Sequence, residues 1–456
     1  MPKSAVSTEI NSDISMIEQQ ARIQQIVEDL LKIAKDMGAS AAEAGASQDA
    51  GLAVNVRLGE LETVEHTRDN SLGISVYFGQ RKGSASTSDF SPQAIRETVR
   101  AACDIARFTT EDPFAGLAEA ELMARQVPDL DLYHPWSLDV ARASALCLEC
   151  EDAARGHDPR ISNSEGASLN SGSGVHIYGN SHGFIGGYPF SRHSLSCAVV
   201  AEDESGMQRD YWYSVDRQGQ GLDSPRQIGI TAAERTLARL GSRSLSTRQA
   251  PVIFRAEVAS GLLRSLIGAI SGGALYRKAS FLLDHLGRPI FPAFVQIEED
   301  PLQPRGLGSA PFDNEGVATR AKALVEGGVL QSYVLDSYAA RKLGMQTTAN
   351  AGGVHNLAIK SGQLDLAGLM REMGTGLLVT EMMGQGVNRV TGDYSRGAAG
   401  FWVENGEIAH PVEEITIAGN LRDMYLNLLA VGTDNQLPGS TRTGSWLIGQ
   451  MTIAGE

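Results

Sequence analysis

Apolar residues recur at helical spacing in four segments of the first 240 residues. In residues 17–37 the apolar face is formed by Ile23, Ile26, Val27, Leu30 and Ala34. Gly38 follows this segment, and glycine is common where a helix ends. The same spacing predicts helices at residues 92–107, 137–155 and 225–240. Residues 1–15 are polar and aperiodic, so we predict a loose tail there.

Between the first two helices the pattern changes to short apolar and β-branched runs. These runs predict four short strands, at residues 53–58, 61–66, 72–78 and 81–87. Gly59, Asp69-Asn70 and Gly79 are turn residues between them, so an antiparallel meander is expected. Ser91, just before Pro92, is the predicted N-cap of the next helix.

A similar alternation follows after the second helix. Residues 113–136, with prolines and acidic side chains, predict a connection and a possible sub-boundary. Glycine- and serine-rich stretches at 163–166 and 179–183 predict turns, and residues 195–201 and 207–215 predict a strand pair. The two halves share a loose rhythm of helix and strand, which we do not interpret as a duplication.

The whole pattern predicts an α+β protein. Residues 16–240 should form an N-terminal region with helices layered on antiparallel sheets, and residues 241–250 a linker. After residue 251, short strands and glycine turns predict a β-rich, barrel-like C-terminal domain over residues 251–456. Strands are expected at 329–335, 377–381, 400–403 and 415–417, with a turn at 404–407.

One predicted helix in the C-terminal domain follows a buried strand, as in many metal-dependent hydrolases, but it lacks metal-binding side chains. Residues 252–254 predict a buried strand, and an apolar helical face continues to Ile270. Hydrolases often place metal ligands on such a helix. This one offers Arg264, Ser265 and Ala269, and none of them is a good zinc ligand.

Composition and charge exclude several function classes. The chain has 54 acidic against 39 basic residues, a net charge of -15. Phosphate backbones and anionic membranes repel such a chain unless a dense basic patch is present, and the sequence has no such run. Its four cysteines are too few for a disulfide framework and indicate a reducing compartment. Without a signal peptide pattern or a spanning apolar run, a cytoplasmic location is expected.

The common catalytic motifs are missing from the sequence. No HExxH, HExxxH, G-x-S-x-G or phosphate-binding loop occurs. His176, His182 and His193 fit no zinc spacing. Cys147 and Cys150 form a single C-x-x-C pair within a predicted helix, which favours a core position over half a zinc site.

The densest polar cluster lies in residues 386–397. The candidate residues within it are Asn388, Thr391, Asp393, Tyr394, Ser395 and Arg396. One interpretation is a glycine-rich bend whose side chains satisfy backbone groups. The other is a loop that lines a binding cleft. Asp393 is the only general base that the loop offers.

Three longer segments carry a family resemblance. Residues 388–402 (NRVTGDYSRGAAGFW) resemble a signature of the TldD/PmbA family, peptidases once called modulators of DNA gyrase. Residues 312–316 (FDNEG) with the stretch 330–350, and residues 417–423 (IAGNLRD), resemble this family as well. The resemblance covers about residues 20–456.

The resemblance implies a two-component peptidase. TldD-like subunits carry zinc through HExxxH and a downstream cysteine, whereas the second subunit type has the same fold without the metal motif. The family's motif would fall on residues 264–269 here, and no cysteine follows Cys197. The chain therefore resembles the second type. No catalytic or metal-binding residue is carried over, and zinc is expected in the TldD-like partner.

The family further implies a heterodimer around an internal cavity. Unfolded or flexible peptides are cleaved there, including an antitoxin and the leader of a peptide antibiotic. By position, Arg264 and the 388–396 loop are our candidates for lining this cavity. A guanidinium at the metal position either holds a peptide carboxylate or forms a structural ion pair.

Two other functions stay open from the sequence. One is an independent hydrolase that uses Asp393 or His355. The other is a homodimeric peptide-binding or regulatory protein without proteolytic activity. Neither requires contact with nucleic acid or a membrane.

Overall fold

A computed structural model describes residues 16–435 and 438–455. The predicted tail at residues 1–15 lies outside the described residues. The helices are α1 Met16–Asp36, α2 Pro92–Phe108, α3 Val140–Arg155, α4 Pro225–Leu237, α5 Ala256–Ala269, α6 Gly272–Tyr276, α7 Ser337–Lys342, α8 Leu366–Met373 and α9 Leu421–Leu426. No helix in this described part is long and apolar enough to cross a bilayer.

The strands divide between an N-terminal and a C-terminal region. The N-terminal strands are β1 Ala41–Arg57, β2 Glu60–Phe78, β3 Arg81–Thr87, β4 Ile161–Asn180, β5 Ile185–Asp203 and β6 Gly206–Asp216. The C-terminal strands are β7 Arg248–Phe254, β8 Ile297–Glu299, β9 Lys322–Glu326, β10 Val329–Leu330, β11 Leu357–Ile359, β12 Gly376–Met383, β13 Asp393–Glu404, β14 Glu407–Asn420, β15 Leu428–Val431, β16 Thr441–Arg442 and β17 Trp446–Ala454.

The N-terminal region is one antiparallel sheet built from two similar units. Its strand order is β3-β2-β1-β4-β5-β6. Each unit runs helix, three strands, helix: α1 to α2 in the first and α3 to α4 in the second. The units meet where β1 pairs with β4. The rhythm that the sequence shows is thus a structural repeat, a point that our sequence interpretation missed.

Alternate residues of the strands pack under the helices. Val54 of β1 and Leu169 of β4 lie in one core with Cys147 and Cys150 of α3, and all four side chains are buried. The C-x-x-C pair is therefore part of a hydrophobic core. Successive side chains of a strand point to opposite sides of the sheet. The alternate set of strand residues, which includes Glu43 of β1 and Arg192 of β5, therefore lies on the face that no helix covers.

Two predicted turns in this region are wrong. β2 continues through Asp69 and Asn70, which pair with Asp49 and Gln48 of β1. The Asn70 side-chain oxygen accepts a hydrogen bond from Gln48 Nε2 at 2.8 Å, so the polar pair is satisfied across the strands. Residues 163–166 form a register shift inside β4 instead of a turn. Such a β-bulge bends a long strand without ending it.

The C-terminal region contains a closed barrel. β14, β13, β12, β7 and β17 pair in this order, and β17 pairs back to β14. The predicted α+β class with a barrel-like second part is confirmed. The turn at 404–407 is confirmed too, with Asn405 and Gly406 both at positive φ, as a two-residue hairpin requires. A second sheet, β10-β9-β8-β11-β16, packs against the barrel.

Helices cover both sides of the barrel strands. Phe254 of β7 packs in the same core as Leu262 and Leu266 of α5, whereas Ile253, which points the other way, packs with Leu369 of α8. α5 therefore lies directly after β7, as predicted, with its apolar face on the sheet. Other predicted bounds differ: β10 covers only 329–330 of the predicted strand 329–335, and β7 begins at Arg248, within the predicted linker.

Gly229 sets the close contact between α3 and α4. An added Cβ would lie 2.1 Å from the Cys150 carbonyl oxygen, so Gly229→Ala must push the two helices apart. Overpacking of this kind costs about 1–3 kcal/mol, and we expect a lower midpoint of thermal unfolding by circular dichroism. Gly261→Ala is the control, because Gly261 of α5 has nothing within 4 Å of its added Cβ. Equal midpoints for the two variants would contradict this packing.

Candidate functional site

A cleft of about 620 Å³ lies between the N-terminal sheet and the barrel. One wall comes from β6 and α4, and the other from α5, β12 and β13. Six arginines line it, and we call it the arginine cleft: Arg192, Arg209, Arg235, Arg239, Arg264 and Arg396. Among the described residues of the lining, only three carboxylates accompany them, those of Asp210, Glu257 and Glu381.

α5 contributes its polar face to the cleft. Glu257, Gly261 and Arg264 recur at helical spacing and line the cleft, while Leu262 and Leu266 on the opposite face are buried. Arg264 thus projects from a rigid helix whose other side is anchored in the core. The amphipathic pattern that predicts α5 also determines which residues face the cleft.

Ion pairs between α4 and the barrel region join the two walls. Arg235 Nη1 lies 2.8 Å from Glu257 Oε1, and Arg239 pairs with Glu381 of β12. Asp210 Oδ2 lies 3.5 Å from Arg235 Nε. The Arg235 guanidinium also lies over the Trp212 ring, with 5.0 Å between Cζ and the ring centroid. The side chains of Arg235, Asp210 and Glu257 are at most 20% exposed, so water screens these pairs only partly.

Among the described residues, the other four arginines of the lining pair with none of these three carboxylates. Arg209 pairs with Glu165 at 2.8 Å. For Arg192, Arg264 and Arg396, the described residues provide no carboxylate within 4.0 Å. Arg396 donates one hydrogen bond from Nε to the Met383 carbonyl. The described lining, with six arginines and three carboxylates, therefore has an excess of positive charge in a protein whose net charge is -15.

Of the predicted loop residues, Arg396 lines this cleft together with Arg264. Tyr394 is buried behind it and packs edge-on against Phe254; burial raises the pKa of Tyr394 to about 12. Ser395, on the opposite side of β13, is exposed. The structure thus places two of the seven predicted side chains together at one cleft.

The rest of the loop forms a hydrogen-bonded bend. Asn388 Oδ1 accepts a hydrogen bond from the Val390 amide at 2.9 Å, and Thr391 Oγ1 donates to Asp393 Oδ2 at 2.6 Å. Asn420 Nδ2 donates to the other Asp393 oxygen at 3.2 Å. These side chains satisfy local backbone and polar groups, which fits the bend interpretation for this part of the loop.

The residues on which the sequence resemblance places the metal motif, 264–269, do not fit a zinc ion. Arg264 is a cation, Ser265 donates its hydroxyl to the Gly261 carbonyl, and Ala269 is buried. Over residues 16–435 and 438–455, no group of three or more His, Cys, Asp and Glu side chains is arranged to hold a metal. His182 and His193 bond instead to the Ala118 carbonyl and the Ser171 hydroxyl.

His355 belongs to a buried polar network. Its Nδ1 lies 2.9 Å from Glu299 Oε1, and Lys322 Nζ and Asn350 Nδ2 lie 3.2 and 2.9 Å from the same carboxylate. Burial alone would raise the pKa of Glu299, but hydrogen bonds from His355, the Lys322 charge and the Asn350 amide outweigh it and lower this pKa. The network holds β8 against the 350–355 turn.

A second cavity, of about 650 Å³, lies at the other end of the N-terminal sheet. It is lined by Glu43, Glu315 and Asp336 and by one cation, Lys82. Burial raises the pKa of Glu315 to about 7. Glu43 is already bonded to Tyr77, Tyr178 and Lys82, so this cavity is acidic but largely satisfied.

Most residues of the arginine cleft were missed from the sequence. Arg235, Glu257 and Glu381 are far apart in the chain and share no motif. One signal was available: Arg209, Tyr211 and Tyr213 alternate along β6, which places them on one face of a strand. An alternation of large polar residues on an end strand is a pattern typical of a binding surface.

Comparisons with known proteins identify the fold and family. Three segments match the PmbA/TldA metallopeptidase domains: residues 42–106 domain 1, 133–240 the central domain and 247–455 the C-terminal domain. The chain is 51% identical to metalloprotease PmbA of Escherichia coli O157:H7, over 97% of this chain and 98% of that protein. It is 50% identical to a PmbA homologue of Haemophilus influenzae, over 98% and 99%.

A solved structure from Bacteroides thetaiotaomicron, described as a candidate modulator of DNA gyrase, has the same fold. It superposes with a TM-score of 0.90 at 28% identity and covers 95% of this chain and 99% of that one. The family resemblance of the sequence is thereby confirmed.

The buried Glu299 network gives a pH-dependent prediction. Because the folded-state pKa of Glu299 lies below its ordinary value of 4.5, its carboxylate stabilises the fold above that pH, and this contribution is lost as the pH falls through the lower folded pKa. Glu299→Gln leaves Lys322 buried without its partner charge. We expect a loss of about 3–5 kcal/mol near neutral pH, and a smaller loss at low pH.

Thermal unfolding from acid to neutral pH measures both effects. Glu298→Gln is the matched control, because Glu298 is the neighbouring residue of β8 and is exposed. If Glu299→Gln and Glu298→Gln unfold alike at every pH, the network does not contribute as described.

Proposed function

This chain belongs to the PmbA/TldD metallopeptidase family, and we propose that it is the PmbA- or TldE-type subunit of a TldD–PmbA peptidase. In this proposal the chain is not itself catalytic and holds no cofactor. The TldD-like partner supplies zinc and the cleavage chemistry. Our chain supplies one wall of the substrate cavity.

The observation that carries the proposal is the polar face of α5. By the resemblance of the sequence, the metal motif of a TldD-like subunit would fall on residues 264–269 of this helix, where the chain has Arg264 on the polar face, Ser265 beside it and Ala269 buried in the core. The guanidinium group of an arginine has only N–H donors and no acceptor, so it does not bind a metal ion. The same face opens onto a cleft of a size that suits a small ligand or a few peptide residues.

Unfolded peptides are the substrate class that the cleft supports. β6 is the last strand of its sheet, so no described strand uses the hydrogen-bonding groups of its outer edge. An extended peptide can pair with such an edge. From the family resemblance, we also propose that the peptidase degrades an antitoxin and removes the leader of a peptide antibiotic.

We place the complex in the cytoplasm. The four cysteines are buried free thiols, and the structure therefore does not need an oxidising compartment. The acidic chain also gives no physical reason for contact with DNA, despite the gyrase-related name of the structural relative.

Co-expression with a TldD-like subunit of the same organism tests the proposal. We expect a stable mixed complex, with bound zinc and cleavage of an unfolded peptide only when the partner is present. A partner in which a histidine of the metal motif is replaced by alanine should still form the complex but lose zinc and activity. Size-exclusion chromatography, metal analysis and a peptide cleavage assay measure the three properties.

Other outcomes would favour the alternative functions. Stoichiometric zinc and cleavage by the isolated chain would contradict the proposal, and loss of that cleavage in Asp393→Ala or His355→Ala would indicate an independent hydrolase. A homodimer that binds peptides but neither recruits the partner nor supports cleavage would indicate a regulatory peptide-binding protein.

A further inference from the structure

We propose that the arginine cleft is a carboxylate-binding subsite that selects acidic peptide segments. That the ligand is a peptide rests on the proposed function. The preference for negative charge rests on the residues that line the cleft. The argument begins with the unequal numbers of cations and anions in the lining, six arginines against three carboxylates.

All three carboxylates of the lining are already engaged. Glu257 lies between Arg235 and Arg255, at 2.8 and 3.4 Å, and Glu381 pairs with Arg239. Asp210 lies 3.5 Å from Arg235 and 3.8 Å from Arg239. These acids neutralise the guanidinium groups that join the two walls, and they leave none for the remaining arginines.

Arg209 pairs with Glu165 outside the lining. Arg192, Arg264 and Arg396 are therefore the arginines of the lining that have no carboxylate partner among the described residues. They come from three different elements, β5, α5 and β13, and line one cleft. Each is at least partly accessible to solvent. Like charges brought together on rigid elements repel one another, so a bound anion lowers the energy of all three at once. Guanidinium groups bind carboxylates through paired N–H donors, which gives both strength and geometry.

The rest of the lining favours a peptide as the source of the carboxylate. Tyr211 and Tyr213 stack at 6.3 Å between ring centroids along β6 and offer apolar ring faces, while the Tyr213 hydroxyl donates to the Pro438 carbonyl. Val258 and Met382 add apolar surface. With the outer edge of β6 beside them, these groups suit an extended chain that carries acidic side chains better than a free inorganic anion.

The experiment measures peptide binding to the isolated full chain by fluorescence anisotropy. The probe is a flexible glycine- and serine-rich peptide with several glutamates, and its partner has glutamine at the same positions. We expect the glutamate peptide to bind at least about tenfold more tightly, equivalent to about 1.4 kcal/mol. This preference should fall as salt approaches about 1 M, where charges are screened within about 3 Å.

Variants locate the subsite. Arg264→Gln and Arg396→Gln should each weaken binding of the glutamate peptide about five- to tenfold and leave the glutamine peptide unchanged. Arg100→Gln, at an exposed arginine of α2 outside the cleft, is the matched control and should change neither. Circular dichroism checks that all variants are folded, and Arg192→Gln serves as a further test should one of them unfold.

A C-terminally amidated form of each peptide distinguishes the two sources of carboxylate. Loss of binding on amidation assigns the subsite to the terminal carboxylate, and unchanged binding assigns it to acidic side chains. Equal affinity for glutamate and glutamine peptides, or competition by inorganic phosphate at similar concentration to the peptide, would overturn the proposal.

The failure of this inference is distinguishable from failure of the proposed function. Cleavage by the mixed complex without any preference for acidic peptides leaves the subunit role intact and removes the subsite. If the chain binds acidic peptides selectively but never forms a complex with a TldD-like partner, the subsite stands and the proposed subunit role is contradicted.

Discussion

The ion pairs between α4 and the barrel region are the interaction on which the candidate site depends. Arg235 of the last turn of α4 and Arg239 of the turn that follows the helix meet Glu257 and Glu381 on the opposite wall. Because the side chains of Arg235, Arg239 and Glu257 are at most 20% exposed, removal of the partner of any one of them leaves a poorly solvated charge. The spacing of the walls, and with it the position of Arg264, follows from these contacts. Arg217 reinforces them by donating to the Gly306 and Leu307 carbonyls from the neighbouring end of β6.

Much of the fold could be predicted because its information is local. The helices follow from apolar spacing, and the β13–β14 hairpin follows from Asn405-Gly406. The long strands could not be predicted in the same way. Asp69 and Asn70 favour turns in isolation, but β1 on their inner side supplies pairing partners that keep the chain extended. Tertiary pairing overrides local turn preference at such positions.

The candidate site shows the same difference between residues that local sequence indicates and residues that only the tertiary structure brings together. Arg264 was a candidate because the resemblance places the metal motif on residues 264–269, and Arg396 was a candidate because it lies in a dense polar loop. Neither argument could reveal Arg235, Glu257 or Glu381, because only the docking of the sheet on the barrel brings them together. Asn388, Thr391 and Asp393 show the opposite case: their polarity serves the bend itself.

The closure of the barrel has a consequence for how the chain is made. β7, the first barrel strand, lies between β12 and β17, so it lacks one neighbour until the residues of β17 have left the ribosome. The N-terminal sheet draws its strands from residues 41–216 and can assemble earlier. Contacts between residues so distant in sequence form slowly. During synthesis, a folded first region is therefore followed by barrel strands with unsatisfied edges, and the nascent chain is most exposed to aggregation just before its final strand arrives.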